Sequence, residues 1–160
     1  MATITAQLTV NSDISEYNGP TINKTMTMTK AGTNNGLERT SGLQRKYLTA
    51  ANQVDLIQGA AGVVADMTVG ASSAAKIYIK YLEADTSKYL TIGLGIASTT
   101  GTAQANDSTG TATFELGRLY GDEWMIIPCS AIADDGDIVV LPSSATTADP
   151  AIVEYIVFFE

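Results

Sequence analysis

Histidine is absent from this chain and cysteine occurs once, at Cys129. These two shortages close several routes to chemistry. A serine or cysteine nucleophile has no imidazole to take its proton, and zinc has few of the side chains it prefers. Without a second thiol no disulfide can form within the chain. Cys129, set between Pro128 and Ser130 after an apolar run, reads as a small core residue rather than a nucleophile. An enzyme is therefore not expected, and neither is a cofactor.

Positive charge is also scarce: nine Lys and Arg stand against seventeen Asp and Glu, a net charge of −8. Phosphate binding needs concentrated positive charge, so nucleic acid is not an expected partner. No run of about eighteen apolar residues occurs. The opening residues, Met-Ala-Thr-Ile-Thr-Ala-Gln-Leu, have no basic segment leading into a continuous apolar one. The expectation is a soluble, unprocessed protein with no membrane partner. Charged residues make up only 16% of the chain, below the usual quarter or so, and Thr, Ser, Asn and Gly fill the difference. Such a surface relies on short-range hydrogen bonds, as in all-β proteins and in surfaces that pack against copies of themselves.

What is present is enough for one domain. At 160 residues and 45% hydrophobic, the chain can bury a core without metal or disulfide support. Residues 151–160, Ala-Ile-Val-Glu-Tyr-Ile-Val-Phe-Phe-Glu, form the most apolar stretch and follow a Thr-Thr-Ala-Asp-Pro turn signal. As a strand they put Val153, Tyr155, Val157 and Phe159 on one face and Ile152, Glu154, Ile156 and Phe158 on the other. The expectation is an interior strand, buried fully on one face and mostly on the second, whose shortening unfolds the domain.

Strand patterns recur along the rest of the chain. Residues 2–10 alternate cleanly, with Ala2, Ile4, Ala6, Leu8 and Val10 on one face and Thr3, Thr5, Gln7 and Thr9 on the other. Residues 21–30 alternate again, with Ile22, Met26 and Met28 sharing a face with Lys24 and Lys30. Two threonine-rich strands in succession suit sheet edges or a subunit contact better than a deep core. Residues 31–47 hold Asn34-Asn35-Gly36 and Ser41-Gly42, which predicts a long connection with a short helical turn near 43–51. Residues 53–58 and 63–69 read as a tight hairpin or a bulged corner about Gly59-Ala60-Ala61-Gly62, and 75–83 and 88–97 as a hairpin about Ala84-Asp85-Thr86-Ser87.

In the latter, Leu90, Ile92, Leu94 and Ile96 face inward, while Gly93 and Gly95 leave the other face bare for close packing. Residues 98–110 are small and polar, an exposed loop. Further strands follow at 111–120, 123–129 and 136–141. Strands with turn signals between them and no long amphipathic helix predict an all-β, antiparallel β-sandwich, jelly-roll-like, of about eight to ten strands. The whole chain, 1–160, is expected to form one domain, with an extended N-terminal region over 1–50 and the core sandwich over 51–160.

Charge is lopsided along this framework. Residues 1–100 carry eight basic and seven acidic side chains, whereas 101–160 carry Arg118 alone against ten acids. Five of the nine cations, Lys24, Lys30, Arg39, Arg45 and Lys46, fall in 24–46 with Glu38 the one acid among them. That segment is either one basic surface or a solvated loop.

Other constellations are weaker. Asp122 and Glu123 beside Trp124 resemble a paired-carboxylate site, but neighbours on a strand point to opposite faces and cannot flank one bond. A turn followed by a core tryptophan is the expectation there. Asp134, Asp135 and Asp137 about Gly136 offer oxygen ligands without the spacing of a calcium loop. Gly93-Leu94-Gly95 is too short for a phosphate loop and lies within a strand pattern. Asn23-Lys24-Thr25 and Asn106-Asp107-Ser108 match a glycosylation pattern that arises by chance in a chain this rich in Asn and Thr.

The C-terminal half carries a resemblance. Lys88-Tyr89-Leu90-Thr91-Ile92-Gly93, Gly121-Asp122-Glu123-Trp124-Met125-Ile126-Ile127-Pro128, Asp137-Ile138-Val139-Val140 and Val153-Glu154-Tyr155-Ile156-Val157-Phe158-Phe159-Glu160 resemble, in order, strands of small jelly-roll structural proteins of tailed bacteriophages. The likeness covers about 75–160 and is one of packing rather than chemistry. It implies a capsid decoration or cement protein: a non-catalytic virion component made in the host cytoplasm. Such a protein would bind the major capsid protein on the capsid exterior and assemble with itself, a trimer being favoured.

Under that reading Lys24, Lys30, Arg39, Arg45 and Lys46 are the capsid-contact candidates. A competing class is a receptor- or glycan-binding module of a tail or fibre, which would use exposed aromatics such as Tyr17, Tyr47 and Tyr120. A host regulatory or metabolic protein of β-barrel type has no sequence feature in its favour beyond solubility.

Overall fold

The computed structural model describes residues 4–10, 22–28, 37, 39–57, 63–64, 67–68, 74–95, 114–130 and 137–159. Among them the regular elements are all strands: β1 (Thr5–Val10), β2 (Ile22–Thr27), β3 (Arg39–Thr40), β4 (Gln44–Leu48), β5 (Val54–Ile57), β6 (Val63–Val64), β7 (Met67–Thr68), β8 (Ala74–Leu82), β9 (Tyr89–Gly95), β10 (Phe114–Tyr120), β11 (Trp124–Ser130), β12 (Asp137–Pro142) and β13 (Ala151–Phe159). Every pairing among them is antiparallel. No helix among these residues is long and apolar enough to cross a membrane.

The body is a sandwich of two sheets. One has the order β10-β9-β12-β5, and the other β11-β8-β13-β3, with β4 also pairing with β13. From β4 onward, apart from the adjacent pair β9 and β10, successive body strands alternate between the sheets. The result is the double Greek key of a jelly roll, as the sequence pattern predicts. β13 is interior to its sheet, bonded to β8 on one side and to β3 and β4 on the other.

The pleat of β13 explains the core. Ala151, Val153, Tyr155, Val157 and Phe159 are buried, and they meet Ile77, Ile79 and Tyr81 of β8 and Leu90, Ile92, Ile138 and Val140 of the facing sheet in one cluster. Each fully buried Val, Ile or Leu among them contributes roughly 1.5–3 kcal/mol. The opposite row, Ile152, Glu154, Ile156 and Phe158, is only half-buried. This corrects the expectation of a strand covered on both sides. Each sheet of an antiparallel sandwich packs through one face and turns the other outward, and in this chain the outward row kept its apolar residues.

Three further expectations are overturned. Residues 44–48 form β4 rather than a helical turn, because Gln44 to Leu48 alternate in exposure and pair with Tyr155 to Ala151 of β13. The hairpin reading of 53–58 with 63–69 also fails: among the described residues β5 bonds to β12, and Val63–Val64 pair as β6 with β7. β8 and β9, read as a hairpin, lie in different sheets, so the connection between them crosses the sandwich. That crossing is held by local bonds: the Glu83 carboxylate accepts from the Ala84 and Asp85 amides, Asp85 accepts from the Ser87 amide and hydroxyl, and the Lys88 amide donates to the Asp85 carbonyl.

β9 does face as expected, with Leu90 and Ile92 in the core and Gly93 buried on the outward row. The expectations for the 98–110 loop, the Asp134–Asp135 cluster and the Cys129 side chain lie outside the described residues and side chains.

Candidate functional site

β1 and β2 form a two-stranded sheet of their own, paired with neither sheet of the body. The register sets Val10 opposite Ile22, Leu8 opposite Lys24 and Ala6 opposite Met26, so these six share one face. On the reverse face Thr5, Gln7 and Thr9 oppose Thr27, Thr25 and Asn23, and the Gln7 amide donates to the Asn23 side-chain oxygen at 3.0 Å. The ribbon is therefore polar on one side and apolar on the other. Its apolar side is exposed: Leu8 is 47% accessible and Met26 46%, with Val10 and Ile22 close behind. An isolated two-stranded ribbon is marginal in water and is normally stabilised by packing. This one is anchored at its base, where the Met28 amide donates to the Ile4 carbonyl and the Leu37 amide to the Met28 carbonyl, with Met28 and Leu37 both buried.

The second uncovered surface is the outward face of the β11-β8-β13-β4 sheet. Cross-strand register arranges it in rows. Ile126, Tyr78 and Ile156 make one apolar row, and Leu82, Ile152 and Tyr47 another. Between them runs a row of Trp124, Lys80, Glu154 and Arg45. Trp124 is 48% accessible and its ring lies 6.0 Å from that of Tyr78. The sequence expectation of a core tryptophan is thus corrected: the pleat that turns Met125 toward the core turns Trp124 outward.

Charge on this face is mostly satisfied internally. Arg45 Nε lies 3.0 Å from Glu154 Oε2, and Lys80 Nζ 2.6 Å from Asp122 Oδ1. The Asp122 hydrogen bond raises the Lys80 pKa, and burial raises that of Tyr78, with Lys80 opposing the shift. Asp122 itself sits at φ 66°, a left-handed turn conformation that aspartate tolerates better than most residues. Its exposed carboxylate lies at the Trp124 end of the face beside Lys80, while that of Glu123 turns back to accept from the Tyr120 amide at 2.8 Å.

The capsid-contact candidates fall in different places. Lys24 lies within the apolar row of the ribbon. Arg39, on β3, and Arg45 and Lys46, on β4, share one edge of the body sheet, but Arg45 and Lys46 point to opposite faces. Lys46 also lines a shallow open depression of about 290 Å³ between β4 and β5, with Tyr47, Asn52 and Gln53. Lys30 lies outside the described residues. Of the aromatics considered for glycan binding, Tyr47 and Tyr120 belong to different sheets, and Tyr17 is outside the described residues. Tyr120 instead packs 5.8 Å from Tyr89, over whose ring Arg118 stacks at 4.6 Å. Among the described residues no group of three or more acidic or thiol side chains is arranged to hold a metal ion.

The outward sheet row escaped sequence reasoning, although its signal was available. In β8, Lys76, Tyr78, Lys80 and Leu82 alternate with buried residues, and in β11 Trp124, Ile126 and Pro128 alternate with Met125 and Ile127, which pack partly buried against the core. Taken together the outward positions hold more apolar side chains than a solvated face needs.

No protein-family model matches the sequence, and no curated protein does. Among solved structures, a chain of the acidic stable capsid structure of Helicobacter pylori bacteriophage KHP30 is similar at 11% identity. The match covers 74% of this chain and 93% of that one, with a TM-score of 0.28. A superposition at that level establishes neither a common fold nor a function.

Proposed function

We propose that this chain is a structural protein of a tailed-phage particle, a capsid decoration or cement protein that binds the outer capsid surface and stabilises contacts between capsomers without catalysis. One observation carries the reading: a small jelly roll bears two apolar surfaces, the ribbon and the outward face of the β11-β8-β13-β4 sheet, that the described residues leave uncovered. On a protein that works alone in water, such surfaces are an aggregation hazard. In a repeating lattice they are contacts, and many weak contacts add through repetition. The sequence resemblance over 75–160 supplies the particle, and the major capsid protein is the partner it implies.

Lys24, Lys30, Arg39, Arg45 and Lys46 are proposed as the residues that meet an acidic capsid surface. The test is co-sedimentation with undecorated capsids across a salt series. Wild-type chain should bind, and the variant Arg39→Gln/Arg45→Gln/Lys46→Gln should bind several-fold more weakly with a flatter salt dependence. Equal binding by the variant removes these residues from the contact. A wild-type chain that never sediments with capsids removes the proposal.

A further inference from the structure

We draw no further inference here: the strongest candidate, the apolar outward face of the β11-β8-β13-β4 sheet around Trp124 and Tyr78, carries none, because its charged row is already paired within the chain, Lys80 with Asp122 and Arg45 with Glu154, and nothing among the described residues shows what covers it.

Discussion

Lys88 and Asp149, sixty-one residues apart in the chain, meet at 2.8 Å, and the same ammonium lies 3.2 Å from Glu83. The ion pair ties the β8–β9 crossing to the turn that leads into β13, two connections on which the jelly-roll path depends. Glu83 is 15% accessible and also caps the crossing through its other oxygen, so it would be left beside no cation if Lys88 were lost. Lys88→Gln should therefore lower the thermal midpoint.

The pH dependence has a definite sign. Hydrogen bonds from Lys88 to Asp149 and then Glu83 raise its pKa above the ordinary 10.5. A raised cation pKa gives stability that is complete below the unfolded value and is lost as pH climbs from there through the folded one. Wild-type stability should fall above about pH 10.5, and that part of the fall should be missing in Lys88→Gln, as measured by thermal melts from pH 8 upward. At the acid end the Ser87 side chain and amide hold Asp85 below its ordinary 3.8. Its contribution is present above that value and disappears as pH drops through the folded one.

Two glycines should respond differently to the same change. A Cβ on Gly121 would stand 2.6 Å from the Glu83 carbonyl oxygen and 3.1 Å from that of Asp85, both backbone atoms that cannot swing away. Gly121→Ala should cost about 1–3 kcal/mol by overpacking. Gly42 has open space around it but a φ of 71°, so Gly42→Ala should cost about 1 kcal/mol through backbone strain, and Gly42→Asn less. Chemical denaturation midpoints order the three variants, and a Gly121→Ala protein as stable as wild type would refute the close approach.

Ser41 replaces a missing rung of the sheet. Between β3 and β4 the strand bulges, and the Ser41 hydroxyl accepts from the Val157 amide at 2.9 Å while the Ser41 amide donates to the Val157 carbonyl. Val157 is fully buried, so Ser41→Ala strands an amide away from water at a cost of roughly 1–3 kcal/mol. Ser41→Thr, which keeps the oxygen, should restore most of it. Equilibrium unfolding of the two variants separates the hydrogen bond from any general effect at the bulge.

The pattern of side chains told which faces are buried better than it told which strands are neighbours. Alternation in β13 marks Val153, Tyr155, Val157 and Phe159 as one row because a pleat has period two, and that row is the core. The same alternation is silent on pairing, so a four-residue turn signal at Ala84 to Ser87 was compatible with a hairpin and with a crossing between sheets. Only the core decides between them: Leu90 must face Ile79 across the sandwich rather than lie beside it. Trp124 failed for a related reason. Its hydrophobicity argues for burial, but its parity with half-buried Met125 sends it outward, and parity prevails because the strand cannot turn one residue alone. The ribbon was legible as two threonine-edged strands; that no described residue covers its apolar face was not, since exposure is a property of the assembled fold.

The most direct measurement is the copy number of this chain per major capsid subunit, by quantitative mass spectrometry of particles purified from a culture producing it. A lattice-wide decoration protein predicts a ratio near one to one. A few copies per particle would place it at a vertex or on the tail, and its absence from particles would contradict a structural role in the virion altogether.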